Sequence, residues 1–128
     1  MAEKLWNKKK AGSVRSLRVA HEIKQVISEI LWKKKPYEEG VGEFSVTVTD
    51  VVVSSSLQDV MIYVVPIDKN LTTNIMDYLN RRAPQFKTMI GRRLGLKFTP
   101  NIRFDIDKSF DYADHIDKLL EQINSKHA

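Results

Sequence analysis

Apolar residues in this chain recur at two periods, that of a helix and that of a strand, and the order of their alternation leaves few folds open. Val19, Ile23, Val26 and Ile30 repeat at spacings of four and three, with Ala20, Ile27 and Leu31 beside them. That predicts a long first helix with one apolar stripe, capped by Ser13 and running to about Trp32. Lys33-Lys34-Lys35 carry the sign that a helix C-terminus favours, and Pro36 blocks continuation, so residues 36–42 are expected as loop. Phe44, Val46 and Val48 alternate with Ser45, Thr47 and Thr49 and run on into Val51, Val52 and Val53. After Ser54-Ser55-Ser56 a second strand spans Val60 to Val65, which makes a hairpin. Leu71, Ile75, Met76 and Leu79 predict a helix over about residues 71–82, broken at Ala83-Pro84. Pro84 suits the first turn of a new helix that carries Phe86, Met89, Ile90 and Leu94 on one face and ends at Gly95. Phe98, Pro100, Ile102, Phe104 and Ile106 then alternate with polar neighbours as a third strand, in which Pro100 demands an edge position or a bulge. Phe110, Ile116, Leu119, Leu120 and Ile123 predict a final helix capped by Ser109.

The order is therefore α-β-β-α-α-β-α, an α+β chain whose three strands share one sheet with helices on one face. At 128 residues it suits a single domain with one core. Residues 12–125 read as that domain, residues 1–11 as a flexible basic arm with a lone Trp6, and residues 126–128 as a tail. The absence of cysteine excludes disulfides, thiolate metal sites and cysteine nucleophiles. No apolar run approaches the roughly 18 residues that span a bilayer, and the lysine-rich start has no apolar segment behind it. A soluble, cytoplasmic protein is expected.

Charge is segregated along the chain. Residues 1–35 have a net charge of +7, residues 36–80 of −6, residues 81–103 of +7 and residues 104–128 of −3. Alternating blocks of one sign suggest a directed surface field rather than an interspersed solvated face. The third block is the sharpest: Arg81, Arg82, Lys87, Arg92, Arg93, Lys97 and Arg103, with no acidic residue among them. It spans the break between two helices, and a helix start loaded with unopposed cations favours phosphate. On the second of those helices Thr88, Gly91, Arg92 and Gly95 fall opposite Phe86 and Ile90. A glycine in a helix interior costs about 1 kcal/mol against alanine, so Gly91 marks a close approach, either of an RNA backbone or of another helix. Arg15 and Arg18 lie in the first turns of the first helix, where the dipole disfavours cations, and are assigned to phosphate as well.

Other motifs carry less. His21-Glu22-Ile23-Lys24-Gln25 lacks the second histidine of a zinc-protease helix. Asp111, Asp114, His115 and Asp117 could hold a weak cation, but carboxylates favour a helix N-terminus and Asp114 can pair with Lys118. No metal, cofactor, small-molecule substrate or catalytic residue is expected. Trp32 is expected to close the core at the end of the first helix. Few aromatics fall on the outer side of the sheet, which points to backbone-directed RNA binding rather than base stacking.

The α-β-β-α-α-β order resembles a type II KH domain, a single-stranded nucleic-acid binder whose middle helices are normally joined by a Gly-x-x-Gly loop. The joint here, Arg82-Ala83-Pro84-Gln85, has no glycine. The chain resembles ribosome-binding factor A, a KH-like family with a kinked joint, typically Ala-x-Gly, in that place. Arg18-Val19-Ala20-His21-Glu22-Ile23, Val51-Val52-Val53-Ser54 with Leu57, and Met61-Ile62-Tyr63-Val64 carry the resemblance. So do Ile90-Gly91-Arg92-Arg93-Leu94, Pro100-Asn101-Ile102-Arg103-Phe104 and Asp107-Lys108-Ser109. Ala83 matches the family's kink alanine, and Gln85 stands where its glycine usually stands. The resemblance implies a non-enzymatic factor that binds the immature small ribosomal subunit and its rRNA, assists late maturation and serves cold adaptation. A monomer suffices. The RNA contacts expected are Arg15, Arg18, Arg81, Arg82, Ala83, Lys87, Gly91, Arg92, Arg93 and Lys97. Two other functions stay open: a general KH-type binder of RNA or single-stranded DNA, and a metal-dependent nuclease built on the acidic cluster.

Overall fold

The computed structural model describes residues 14–33, 35–39, 42–97 and 100–108, with 119, 120 and 123. Helix α1 spans Val14–Lys33 and buries Ala20, Ile23, Val26, Ile27 and Leu31 of the predicted stripe, with Val19 and Ile30 half-buried against the core and Ser16 buried as well. The stretch expected as loop contains two short strands, β1 (Tyr37–Glu38) and β2 (Gly42–Glu43), paired antiparallel with Tyr37 opposite Glu43. Strands of two residues offer no period to read. Phe44 follows them, buried edge-on against Tyr78 at 5.0 Å, and donates its backbone N–H to Pro36 O at 3.0 Å.

Strands β3 (Val46–Val53) and β4 (Asp59–Pro66) form the predicted hairpin, with a bulge between Val48 and Asp50. The extra residue, Thr49, donates its hydroxyl to the buried Asp107 at 2.6 Å. At the hairpin tip Leu57 has φ 63, rare for a non-glycine residue, and its N–H donates to Ser54 O at 2.9 Å. Its side chain is buried in the core, which offsets the strain.

Asp68 caps a 3-10 turn at Lys69–Leu71 by accepting from Asn70 N–H at 3.0 Å. Helices α2 (Thr72–Arg81) and α3 (Ala83–Leu94) follow and bring the chain back to strand β5, Asn101–Ile106. β5 pairs parallel with β4, giving the order β3-β4-β5. A parallel partner needs a crossover of this length, and the two helices supply it. Pro100 is buried immediately before β5 rather than within it, so its missing N–H costs the ladder nothing. Phe98 and Thr99 lie outside the described residues. Gly95 ends α3 at φ 61, and Leu96 N–H donates back to Gly91 O at 3.1 Å, closing the helix end as a glycine there permits.

Ile23 and Ile27 of α1, Ile75 and Leu79 of α2 and Ile90 of α3 meet Ile62 and Val64 of β4, all fully buried. Phe86 packs on Phe104 with ring centroids 5.5 Å apart. The helices thus cover one face of the sheet. On the reverse face Asn101 and Arg103 are exposed, but Met61 and Tyr63 of the central strand are buried, Tyr63 to 1%.

Two side chains depart from expectation. Trp32 is 77% exposed and does not close the core, because one step past Leu31 turns it about 100° off the buried stripe. Met89 is 40% exposed, lying on the flank of α3 rather than beneath it. Leu119, Leu120 and Ile123 have helical backbone with half-exposed side chains. Ser13, Ser109, Phe110, Ile116 and the cluster Asp111, Asp114, His115 and Asp117 lie outside the described residues, as do residues 1–11 and 126–128.

Candidate nucleic-acid interface

One residue joins α2 to α3. Arg82 has φ −99 and ψ 8, and its N–H closes α2 on Tyr78 O at 3.2 Å. Its carbonyl then accepts from Gln85 N–H at 3.0 Å and Phe86 N–H at 3.1 Å, which starts α3. A negative φ needs no glycine, so this bend forms without the Gly-x-x-Gly sequence. Pro84 in the first turn of α3 has no N–H to extend the α2 ladder across the joint.

The bend is fixed to the sheet by a residue the sequence does not announce. Asn80 donates from Nδ2 to Phe104 O at 3.2 Å and accepts at Oδ1 from Phe104 N–H at 3.0 Å. The two backbone groups belong to the outer edge of β5, so Asn80 both fills that edge and sets the bend beside it. Ala83, Pro84 and Lys87 of α3 and Asn101 and Ile102 of β5 then enclose a small cleft of about 190 Å³. Arg103 is exposed two residues along the strand, and Thr88, Arg92 and Gly95 are exposed on the outer side of α3, with Gly91 half-buried.

The ion pairs correct the expectation of an unopposed cationic segment. Arg81 Nη2 lies 2.9 Å from Glu38 Oε1, and Arg81 Nε 3.3 Å from Asp77 Oδ2. Arg82 Nη1 lies 3.4 Å from the other oxygen of Glu38, and its guanidinium sits 3.8 Å over the Tyr78 ring. Arg93 Nη2 lies 3.0 Å from Glu29 Oε2, while Lys33 takes the other oxygen at 2.7 Å. The hydrogen bond from Arg81 holds the Glu38 carboxyl below its ordinary value, helped by the charges of Arg81 and Arg82. Glu29 is lowered likewise, first by the hydrogen bond from Lys33 and then by that from Arg93. The Arg81 guanidinium is raised by its hydrogen bond to Glu38. Glu38 and Glu29 lie 43 and 64 residues away in sequence, beyond any local search for a partner.

Lys87, Arg92, Lys97 and Arg103 retain no ion pair among the described residues, and neither do Arg15 and Arg18. The first four lie on α3 or its exit and on the adjacent β5. Arg15 and Arg18 are exposed on the first turns of α1, roughly 16–21 Å along the helix axis from the Glu29–Arg93 pair at 1.5 Å per residue. Among the described residues no group of three or more His, Cys, Asp or Glu could hold a metal ion, and no helix is long and apolar enough to cross a membrane.

This geometry has relatives. The family model for ribosome-binding factor A matches residues 15–120. The ribosome-binding factor A of Nitrobacter winogradskyi is 38% identical over 85% of this chain and 80% of its own length. The crystal structure of ribosome-binding factor A from Thermus thermophilus superposes with a TM-score of 0.57 at 17% identity, over 71% of this chain and 94% of that one. A homology model of the Thermus thermophilus factor, fitted into a cryo-EM map of its complex with the 30S subunit, gives a TM-score of 0.55 at 18% identity, over 70% and 91% of the two chains. With a KH-like fold, a glycine-free bend and a family match across most of its length, the chain belongs to the ribosome-binding factor A family.

Proposed function

We propose that this protein binds the immature small ribosomal subunit through its rRNA and assists late maturation by binding, as a cytoplasmic monomer, without catalysis and without a cofactor. The observation that carries the proposal is the cleft between α3 and β5. It is lined by Lys87, with Arg103 exposed farther along β5 and Arg92 exposed on α3, none of the three ion-paired among the described residues, in a fold for which a homology model of the Thermus relative has been fitted into a cryo-EM map of a 30S complex. No acidic side chain lies in the first turn of α3 to repel a phosphate. Lys87 and Arg92 supply charge on either side, and the exposed Thr88 and Gly95 leave room for an RNA backbone. Because these contacts address phosphates, recognition follows the shape of the RNA rather than its base sequence.

Such a factor promotes maturation by favouring one local rRNA conformation over another, by as much as its affinities for the two differ. Co-sedimentation tests the proposal. The protein is expected with immature small subunits, and the triple variant Lys87→Ala, Arg92→Ala, Arg103→Ala is expected to lose that association while melting as the wild type does. Equal association with random RNA and with subunits would identify a general RNA binder instead. Cleavage of RNA by purified protein with added Mg²⁺ would identify a nuclease.

A further inference from the structure

We propose that Glu38 is an internal competitor for RNA phosphate: its carboxylate occupies a two-arginine phosphodiester site at the bend and must leave before Arg81 and Arg82 engage RNA. This rests on the proposed function and adds a gate to the same face.

The geometry is that of an occupied anion site. Each carboxylate oxygen of Glu38 faces a different arginine, Oε1 at 2.9 Å from Arg81 and Oε2 at 3.4 Å from Arg82. A phosphodiester presents two non-bridging oxygens from one centre in the same way, and guanidinium groups take either anion. The occupant comes from outside the bend. Glu38 ends β1, a strand of two residues whose single neighbour is another strand of two, so the segment that presents it is held by few backbone bonds. The side chains are accessible to a competing anion, with Arg81 half-exposed and Arg82 a third exposed.

The arginines keep their places once Glu38 leaves. Arg82 lies 3.8 Å over the Tyr78 ring, and Tyr78 is fixed edge-on by the buried Phe44. Arg81 retains Asp77 at 3.3 Å and donates from Nε to Asp77 O at 3.4 Å. Anchoring that does not depend on Glu38 separates a competitor from a positioning residue, which would let the arginines scatter on removal. The site is thereby preset for a phosphate and closed to weak ones: single nucleotides must displace a tethered carboxylate alone, whereas an RNA already held by Lys87, Arg92 and Arg103 does so at high effective concentration.

The test uses a fluorescein-labelled oligouridylate and, separately, immature small subunits, with wild type, Glu38→Gln, and Glu38→Gln combined with Arg81→Ala and Arg82→Ala. Glutamine keeps the size and removes the charge. For two solvent-accessible pairs, Glu38→Gln is expected to bind the oligonucleotide about 3- to 10-fold more tightly. Its log–log salt slope should steepen by about 0.7, as one more phosphate is engaged. Removing the two arginines in the same background should abolish the gain. Weaker binding by Glu38→Gln would show a positioning role and overturn the proposal, as would unchanged affinity and slope. The underlying functional reading fails separately, if wild type ignores immature subunits while the oligonucleotide results hold.

Discussion

Replacing Asn80 by alanine should unseat the bend. The substitution removes the 3.0 Å and 3.2 Å hydrogen bonds to Phe104 N–H and O, on a strand residue that is itself 4% exposed. Each such bond contributes about 0.5–1.5 kcal/mol, and a donor stranded without water costs more, so the loss should be about 1–3 kcal/mol. In a domain of 128 residues each kcal/mol lowers Tm by about 3–5 °C, which places the expected drop at about 3–15 °C by scanning calorimetry. Asn80→Asp supplies a sharper comparison. It keeps an acceptor for Phe104 N–H but sets a second oxygen against Phe104 O where Nδ2 donated, so it should do no better than alanine at neutral pH. Both variants should also bind RNA less well, because Arg81, Arg82 and Ala83 follow Asn80 directly. Melting within 1 °C of wild type for both would refute the assignment of the bend's position to this residue.

Gly95→Ala should cost about 1 kcal/mol in equilibrium denaturation. A Cβ there meets nothing within 4 Å, so the cost comes from the φ of 61 alone; a stabilised variant would contradict it. Trp32→Ala should change stability by no more than about 0.5 kcal/mol, because the indole is exposed, whereas a core position would lose several times that. The carboxyls of Glu29 and Glu38 are lower in the fold than their ordinary 4.5, so their contribution is present above that pH and is lost as pH falls through the folded values. Acid titration of stability should therefore be shallower for Glu29→Gln with Glu38→Gln than for wild type, and an identical acid limb would discount both pairs.

Elements long enough to show a period were legible: α1 from Val19 to Leu31, the β3–β4 hairpin and the break at Ala83-Pro84. Gly95 declared the end of α3 because only a residue tolerant of positive φ serves there. Two-residue strands such as Tyr37–Glu38 carry no period, and Asn80 looks in sequence like any polar residue on a helix surface. At the candidate site the cations were legible but their partners were not. Glu38 reaches Arg81, and Glu29 reaches Arg93, only after the chain has folded, so counting charges along 81–103 overstated the free positive charge. Trp32 shows the converse error, since bulk and position suggested the core while its angle on α1 points it to water.

The decisive measurement is the salt dependence of binding to immature small subunits by wild type and by the triple variant Lys87→Ala, Arg92→Ala, Arg103→Ala. If these three cations meet rRNA phosphates, the variant's log–log slope should be flatter by about 2, at about 0.7 per contact. An affinity and a slope indistinguishable from wild type would show that RNA, if it binds, does so elsewhere on the molecule.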